Sequence, residues 1–122
     1  MGYNILMFRI ITIKEPITRA ELKELAHEGF EDVVKVVVDI EKEIVAAGGE
    51  LHVDMQVKLM ESEESTNENT WGINLYVNEE GESFLEFDSM INLKPSLGNK
   101  TRGVENKETR RKITEIINRL VK

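Results

Sequence analysis

The chain contains no cysteine, so its chemistry falls to histidine, carboxylate, hydroxyl, amide and cationic side chains. Thiolate nucleophiles, disulfides and sulfur-bound zinc are excluded. Polar side chains recur at alternate positions in two runs, Asn74 and Tyr76 in the first, Glu86, Asp88 and Asn92 in the second. Alternate residues of a strand share a face, and cross-strand neighbours lie roughly 5 Å apart. Such a set either solvates an open sheet face or converges on a ligand. Asp88 is the candidate general base or ligand anchor, with Asn74, Asn92 and Arg102 as positioning groups. Ser89, between Phe87 and Ile91, reads as a hydroxyl that needs a structural hydrogen bond; a nucleophile there would want a histidine nearby.

A second set lies in the loop Gly98, Asn99, Lys100, Thr101, Arg102 and Gly103. Flexible amides, two cations and a hydroxyl ahead of a helix start are the ingredients of an anion site, which Arg110 on that helix would extend. The Walker pattern is missing, since no Lys-Ser/Thr pair follows a second glycine at the required spacing. The plain alternative is a surface loop. His27 and His52 are the only histidines. With Asp54 they make a two-histidine, one-carboxylate set only if the fold gathers them, and nothing in their spacing demands it. No metal and no cofactor are expected.

These residues need elements to hold them. The run from Ile5 to Ile13 reads as a strand covered on both faces and ended by Pro16. Thr18 followed by Glu21 is a capping box that starts a helix. Leu22, Ala26, Phe30, Val33, Val37, Ile40 and Ile44 continue at helical spacing, which predicts a helix from Thr18 to Ala47 that breaks near Gly29 or overhangs the sheet. Val53, Met55, Val57 and Leu59 alternate with polar residues and predict a strand. The polar connector 61–69 follows. Residues 71–77 and 85–93 predict a hairpin, the second run placing Leu85, Phe87, Ser89, Ile91 and Leu93 on one face. Asn106 caps a terminal helix with Ile113, Ile116, Ile117, Leu120 and Val121 as its apolar stripe.

The expected fold is thus α+β: a two-layer sandwich whose mixed four-stranded sheet carries helices on one face, in the order βαβββα. The first two strands would lie parallel through a right-handed crossover. Residues 1–122 form one expected domain, with residues 1–6 read as an N-terminal extension because Met7 offers a second start.

With 40% apolar and 32% charged residues, the chain has enough aliphatic content to exclude general disorder. No export leader or membrane span is legible, so the cytoplasm is the expected compartment. Net charge is −7, yet residues 15–68 hold 15 acids and 5 bases while residues 94–122 hold 9 bases and 3 acids. The basic tail has no aromatic side chains between its cations, hence no base-stacking platform, and a nucleic-acid partner is disfavoured.

Several stretches resemble an uncharacterised family of short prokaryotic proteins. They are NTWGINLY at 69–76, EFDSMIN at 86–92 with Pro95 behind it, and GNKTRGVE at 98–105. PIT at 16–18 and GGELH at 48–52 belong to the same resemblance, which covers most of the chain from Met7 onward. It implies membership of a group and no reaction.

The leading reading is a small binding or interaction protein that engages an anionic small molecule or an acidic protein surface through Lys100, Arg102 and Arg110. A homodimer is expected from the overhanging valines of the long helix. The competing reading is an enzyme centred on Asp88. Crowding of Asp88 and Glu86 with basic loop residues around one pocket would favour it, and a flat, open sheet face would remove its geometry.

Overall fold

The computed structural model describes residues 8–122. The N-terminal extension and the start of the first predicted strand lie outside these residues. Strand β1 is Ile11–Ile13 and helix α1 is Arg19–His27. Thr18 caps α1 by accepting from the Glu21 amide at 3.1 Å, and its hydroxyl donates to the Glu21 carboxylate at 3.3 Å. The helix ends just before Gly29, as one branch of the sequence reading required, but the chain then continues as a strand. Glu31 turns it with φ 73°.

The first correction falls here. Val33–Asp39 is β2 and Ile44–Ala47 is β3, an antiparallel hairpin in place of a helix. Val34, Val36 and Val38 face one side of the sheet and Val37 the other, both buried. A strand covered on both faces reads as an unbroken apolar run, which helical spacing fits by coincidence. Asp39 fixes the turn. Its Oδ1 accepts from the Glu41 and Lys42 amides, each at 2.9 Å, and Glu43 takes φ 58°.

The second correction is the reverse. His52–Glu63 is helix α2 where a strand was expected. His52, Met55, Gln56 and Leu59 form its buried stripe, while Val53 and Val57 face outward. Two of the four inward residues are polar, so the helical stripe is masked and the outward valines simulate alternation.

Thr70–Tyr76 forms β4, paired along its full length with β2, and Leu85–Glu86 forms β5 against Asn74 and Leu75. The predicted hairpin is therefore present, but its second strand is short. Beyond Glu86 the chain leaves the sheet: Leu85 and Phe87 pack with the main core, Ile91 packs with Met55 and Leu59, and Leu93 is exposed. Lys107–Leu120 is α3, capped by Asn106, which accepts from the Thr109 amide at 3.0 Å. Its Ile113, Ile116, Ile117 and Leu120 are buried as predicted.

The sheet has five strands in the order β1-β3-β2-β4-β5, antiparallel at every pair. The fold is α+β, but the mixed four-stranded sheet and the βαβββα order are corrected to an antiparallel sheet and ββ pairs on either side of α2. The expected parallel pair is lost, because its second strand, over 53–59, is helix α2; the observed β1 and β2 run in one direction but are separated by β3. Helices cover both faces rather than one. α1 and α3 pack on the face of Val36, Val38, Ile73 and Leu75, whereas α2 packs on Val37, Ile44 and Ala46. Because α2 sits over β2 and β3, the same face at β4 and β5 is left open beside it. Among the described residues no helix is long and apolar enough to cross a membrane.

Candidate functional site

A cleft of about 430 Å³ occupies that open part of the sheet. Its floor is Val33 and Lys35 of β2 with Asn74 and Tyr76 of β4. One wall is the start of α2, at Leu51, His52 and Val53; the other is the segment from Glu86 to Ile91, with Arg102 above it. The polar face read from the alternation is real for Asn74, Tyr76, Glu86 and Asp88, and it is concave because α2 rises next to it.

The polar groups are organised by one another. Asn74 Nδ2 donates to Glu86 Oε1 at 2.9 Å and to the Asp88 carbonyl at 3.2 Å. Two acceptors on that nitrogen fix the orientation of the amide. Its oxygen, Oδ1, is buried and has no hydrogen-bond partner. Tyr76 also donates to Glu86 Oε1, at 3.0 Å, and this bond, more than burial, raises the phenol above its ordinary value. Arg102 Nε lies 2.7 Å from Asp88 Oδ1, an ion pair about half exposed.

His52 escapes a sequence reading as a cleft residue, because the strand expected over 53–59 hides its place at a helix start. Nε2 donates to the Ile73 carbonyl at 2.8 Å, leaving Nδ1 as the acceptor. Burial is the largest influence on this imidazole and lowers its pKa below the ordinary value; Lys35 and Arg102 push the same way. The ring also approaches Ser89, as both sit over Gly72: a Cβ there would lie 2.5 Å from Ser89 Oγ and 3.1 Å from His52 Cδ2. The pairing needed for a nucleophile is nevertheless absent. Nε2 is committed to Ile73, and Ser89 Oγ accepts from the Ile91 amide at 3.2 Å, the structural bond its burial called for.

The remaining candidates separate. Asn92 is fully buried beneath the cleft and bonds the backbone of Gly72 and Arg102. Asn99 is buried too: it donates to the carbonyls of Asn92, Thr101 and Gly103 and accepts from the Glu105 amide. It lines a different depression, with Trp71, Leu97 and Thr109. The Lys100 amide, which an anion would have used, donates to the Glu105 carboxylate of the chain itself. Lys100 is exposed, and Arg110 is exposed on α3, across the sheet from the cleft. Loop 98–103 thus folds around its own side chains and sends only Arg102 to the cleft.

His27 and His52 belong to helices on opposite faces of the sheet, and His27 bonds Glu31 at 2.7 Å. Among the described residues no group of three or more histidine and carboxylate side chains could hold a metal ion.

Searches of curated proteins and of solved structures found no match. A family model described as a protein of unknown function (DUF5674) matches residues 11–120. The resemblance carried by the NTWGINLY, EFDSMIN and GNKTRGVE stretches is therefore one of family, and the chain belongs to this family of unknown function, DUF5674.

Proposed function

We propose that this protein binds a small polar molecule in the cleft between the start of α2 and the polar face of β4, with Asn74, Asp88 and Arg102 as contact residues. The observation that carries the reading is the convergence of these three side chains on one cavity, where a buried Asn74 carbonyl oxygen has no partner. An orphaned buried acceptor costs about 1–3 kcal/mol, a cost that a bound donor removes. The volume suits a metabolite rather than a protein segment. Contact with an acidic partner through Lys100 and Arg110 loses support, as these two residues face different surroundings from Arg102.

The test is a screen of amine, acid and zwitterion fragments by amide chemical shift on the isotopically labelled protein. Hits are expected to move the amides of His52, Asn74, Asp88, Met90 and Arg102 together, and Arg102→Gln should weaken anionic fragments. A library that moves none of these amides defeats the proposal.

An enzyme is the second reading, favoured by the His52 imidazole, which lines the cleft with Nε2 held on the Ile73 carbonyl. Its Nδ1 would take a proton from a bound substrate, and Asp88 with Arg102 would orient that substrate. Loss of turnover in His52→Gln with binding retained would separate catalysis from binding alone. We further propose a cytoplasmic location, supported by the absence of cysteine. The homodimer expectation keeps less support, because its valines are strand residues buried within the chain.

A further inference from the structure

We infer that Glu86 is the recognition pole of the cleft and that the ligand carries a primary ammonium group. This rests on the cleft being a small-molecule site and adds the chemistry of what enters it. The carboxylates of the cleft are not equivalent. Asp88 is neutralised by Arg102 at 2.7 Å. Glu86 is held by two neutral donors, Asn74 Nδ2 and Tyr76 OH, both on Oε1. Among the described residues no cation lies within ion-pair distance of it. The two donors orient the carboxylate without cancelling its charge, and Oε2 stays open.

The second free acceptor is adjacent. Asn74 and Glu86 are cross-strand partners joined by a single hydrogen bond of 2.9 Å. The unpartnered Asn74 Oδ1 and Glu86 Oε2 are the second oxygens of the two groups that this bond joins. Asn74 is 9% exposed, but its Oδ1 is itself covered, so the oxygen lies under the surface of the cleft. Two neighbouring acceptors, one of them charged, ask for a group with at least two N–H donors and a positive charge, which is an ammonium. Leu51, Val53 and Met90, exposed at the rim, would take an apolar body attached to it.

Reaching Asn74 Oδ1 requires a lining side chain to yield. Lys35 is a flexible side chain next to it. It is the other cross-strand neighbour of Asn74, and its ammonium stands 5.3 Å from the centre of the exposed Phe30 ring rather than on Glu86. Lys35, beside Asn74, and Arg102, paired with Asp88, also bring positive charge to the cleft, so an added anionic group on the ligand is tolerated there.

The experiment compares n-pentylamine, 1-pentanol and pentanoate, which share a chain and differ in charge, by amide-shift titration of the full chain and of Glu86→Gln. Gln retains an acceptor for Asn74 and Tyr76, removes the charge and replaces the open oxygen with an amide NH2. Pentylamine is expected to bind at least roughly tenfold more tightly than pentanol, with the Asn74 side-chain amide moving, and Glu86→Gln should abolish that advantage. Equal pentylamine affinity in wild type and Glu86→Gln means non-specific attraction to an acidic protein and overturns the inference. Pentanoate in the cleft without pentylamine overturns the ammonium but leaves the small-molecule site standing. Silence from all three, with hits from the wider fragment screen, overturns the ammonium alone; silence from both screens overturns both.

Discussion

Asn92 takes the place of a strand against Gly72: its Oδ1 accepts from the Gly72 amide at 2.8 Å and its Nδ2 donates to the Gly72 carbonyl at 2.9 Å. β5 ends at Glu86, so the backbone of β4 beyond Asn74 has no strand on that side. The same Nδ2 donates to the Arg102 carbonyl at 2.8 Å, and Ser89 N donates to it at 2.9 Å. One buried amide therefore closes the sheet edge and anchors the residue that crosses over the cleft.

Replacing Asn92 with Ala should cost about 2–4 kcal/mol, since it leaves several buried backbone groups unpaired. Urea denaturation checks this. Arg102 should also become mobile, visible as broadening of its amide. An Asn92→Ala variant as stable as wild type would remove Asn92 from its anchoring role.

Gly72 is required for space. A Cβ would lie 2.5 Å from both Cβ and Oγ of Ser89, so Gly72→Ala is expected to destabilise by about 1–3 kcal/mol through overpacking. Adding Ser89→Gly should recover part of that loss, since the two changes share one contact. Strict additivity in a double-mutant cycle would contradict the packing.

Changes of charge on the two sides of the sheet should have unequal outcomes. Leu75 is 1% exposed in the main core, and Leu75→Asp should unfold the protein by burying an unpaired carboxylate. Asp88→Asn breaks an ion pair with much solvent contact and should cost under about 1 kcal/mol. Circular dichroism with thermal melts distinguishes them.

Lys94 supplies a pH test. Its ammonium is buried, donating to the Ile91 carbonyl at 3.0 Å and lying 5.0 Å from the centre of the Trp71 ring. Burial, its largest influence, lowers its pKa below the ordinary 10.5. The unfolded chain then binds the extra proton between the lowered value and 10.5, so this group's contribution to stability rises with pH across that window. His52 acts with the same sign at lower pH: stability falls as pH drops below about 6.5 toward its depressed folded value. Lys94→Met should flatten the alkaline rise, and imidazole NMR should place the His52 midpoint below 6.5. A variant with an unchanged alkaline slope would contradict the assignment.

Much of the site is legible in the sequence because β4 obeys a period of two. Asn74 and Tyr76 share a face in the sequence, and they share one in the fold. The wall opposite is not legible, because α2 has the alternation of a strand. His52 and Gln56 sit on its buried stripe, and polar residues there erase the helical signal. The boundaries are hidden by a related substitution of residue type. Glu31, Glu43 and Glu64 adopt left-handed φ of 73°, 58° and 60° at turns where glycine is the usual marker. The β2–β3 hairpin therefore carries no turn signal, and its valines fit a helix. Loop 98–103 looks like an anion cradle because its composition is right; that Glu105 and Asn99 consume its polar groups depends on contacts that spacing alone does not reveal.

The most direct measurement is a crystal structure of the protein soaked with a fragment hit. The expected result is density in the cleft between Glu86 and Arg102, in contact with Asn74, and none along Lys100 and Arg110. Density on that basic surface with the cleft empty would contradict the account.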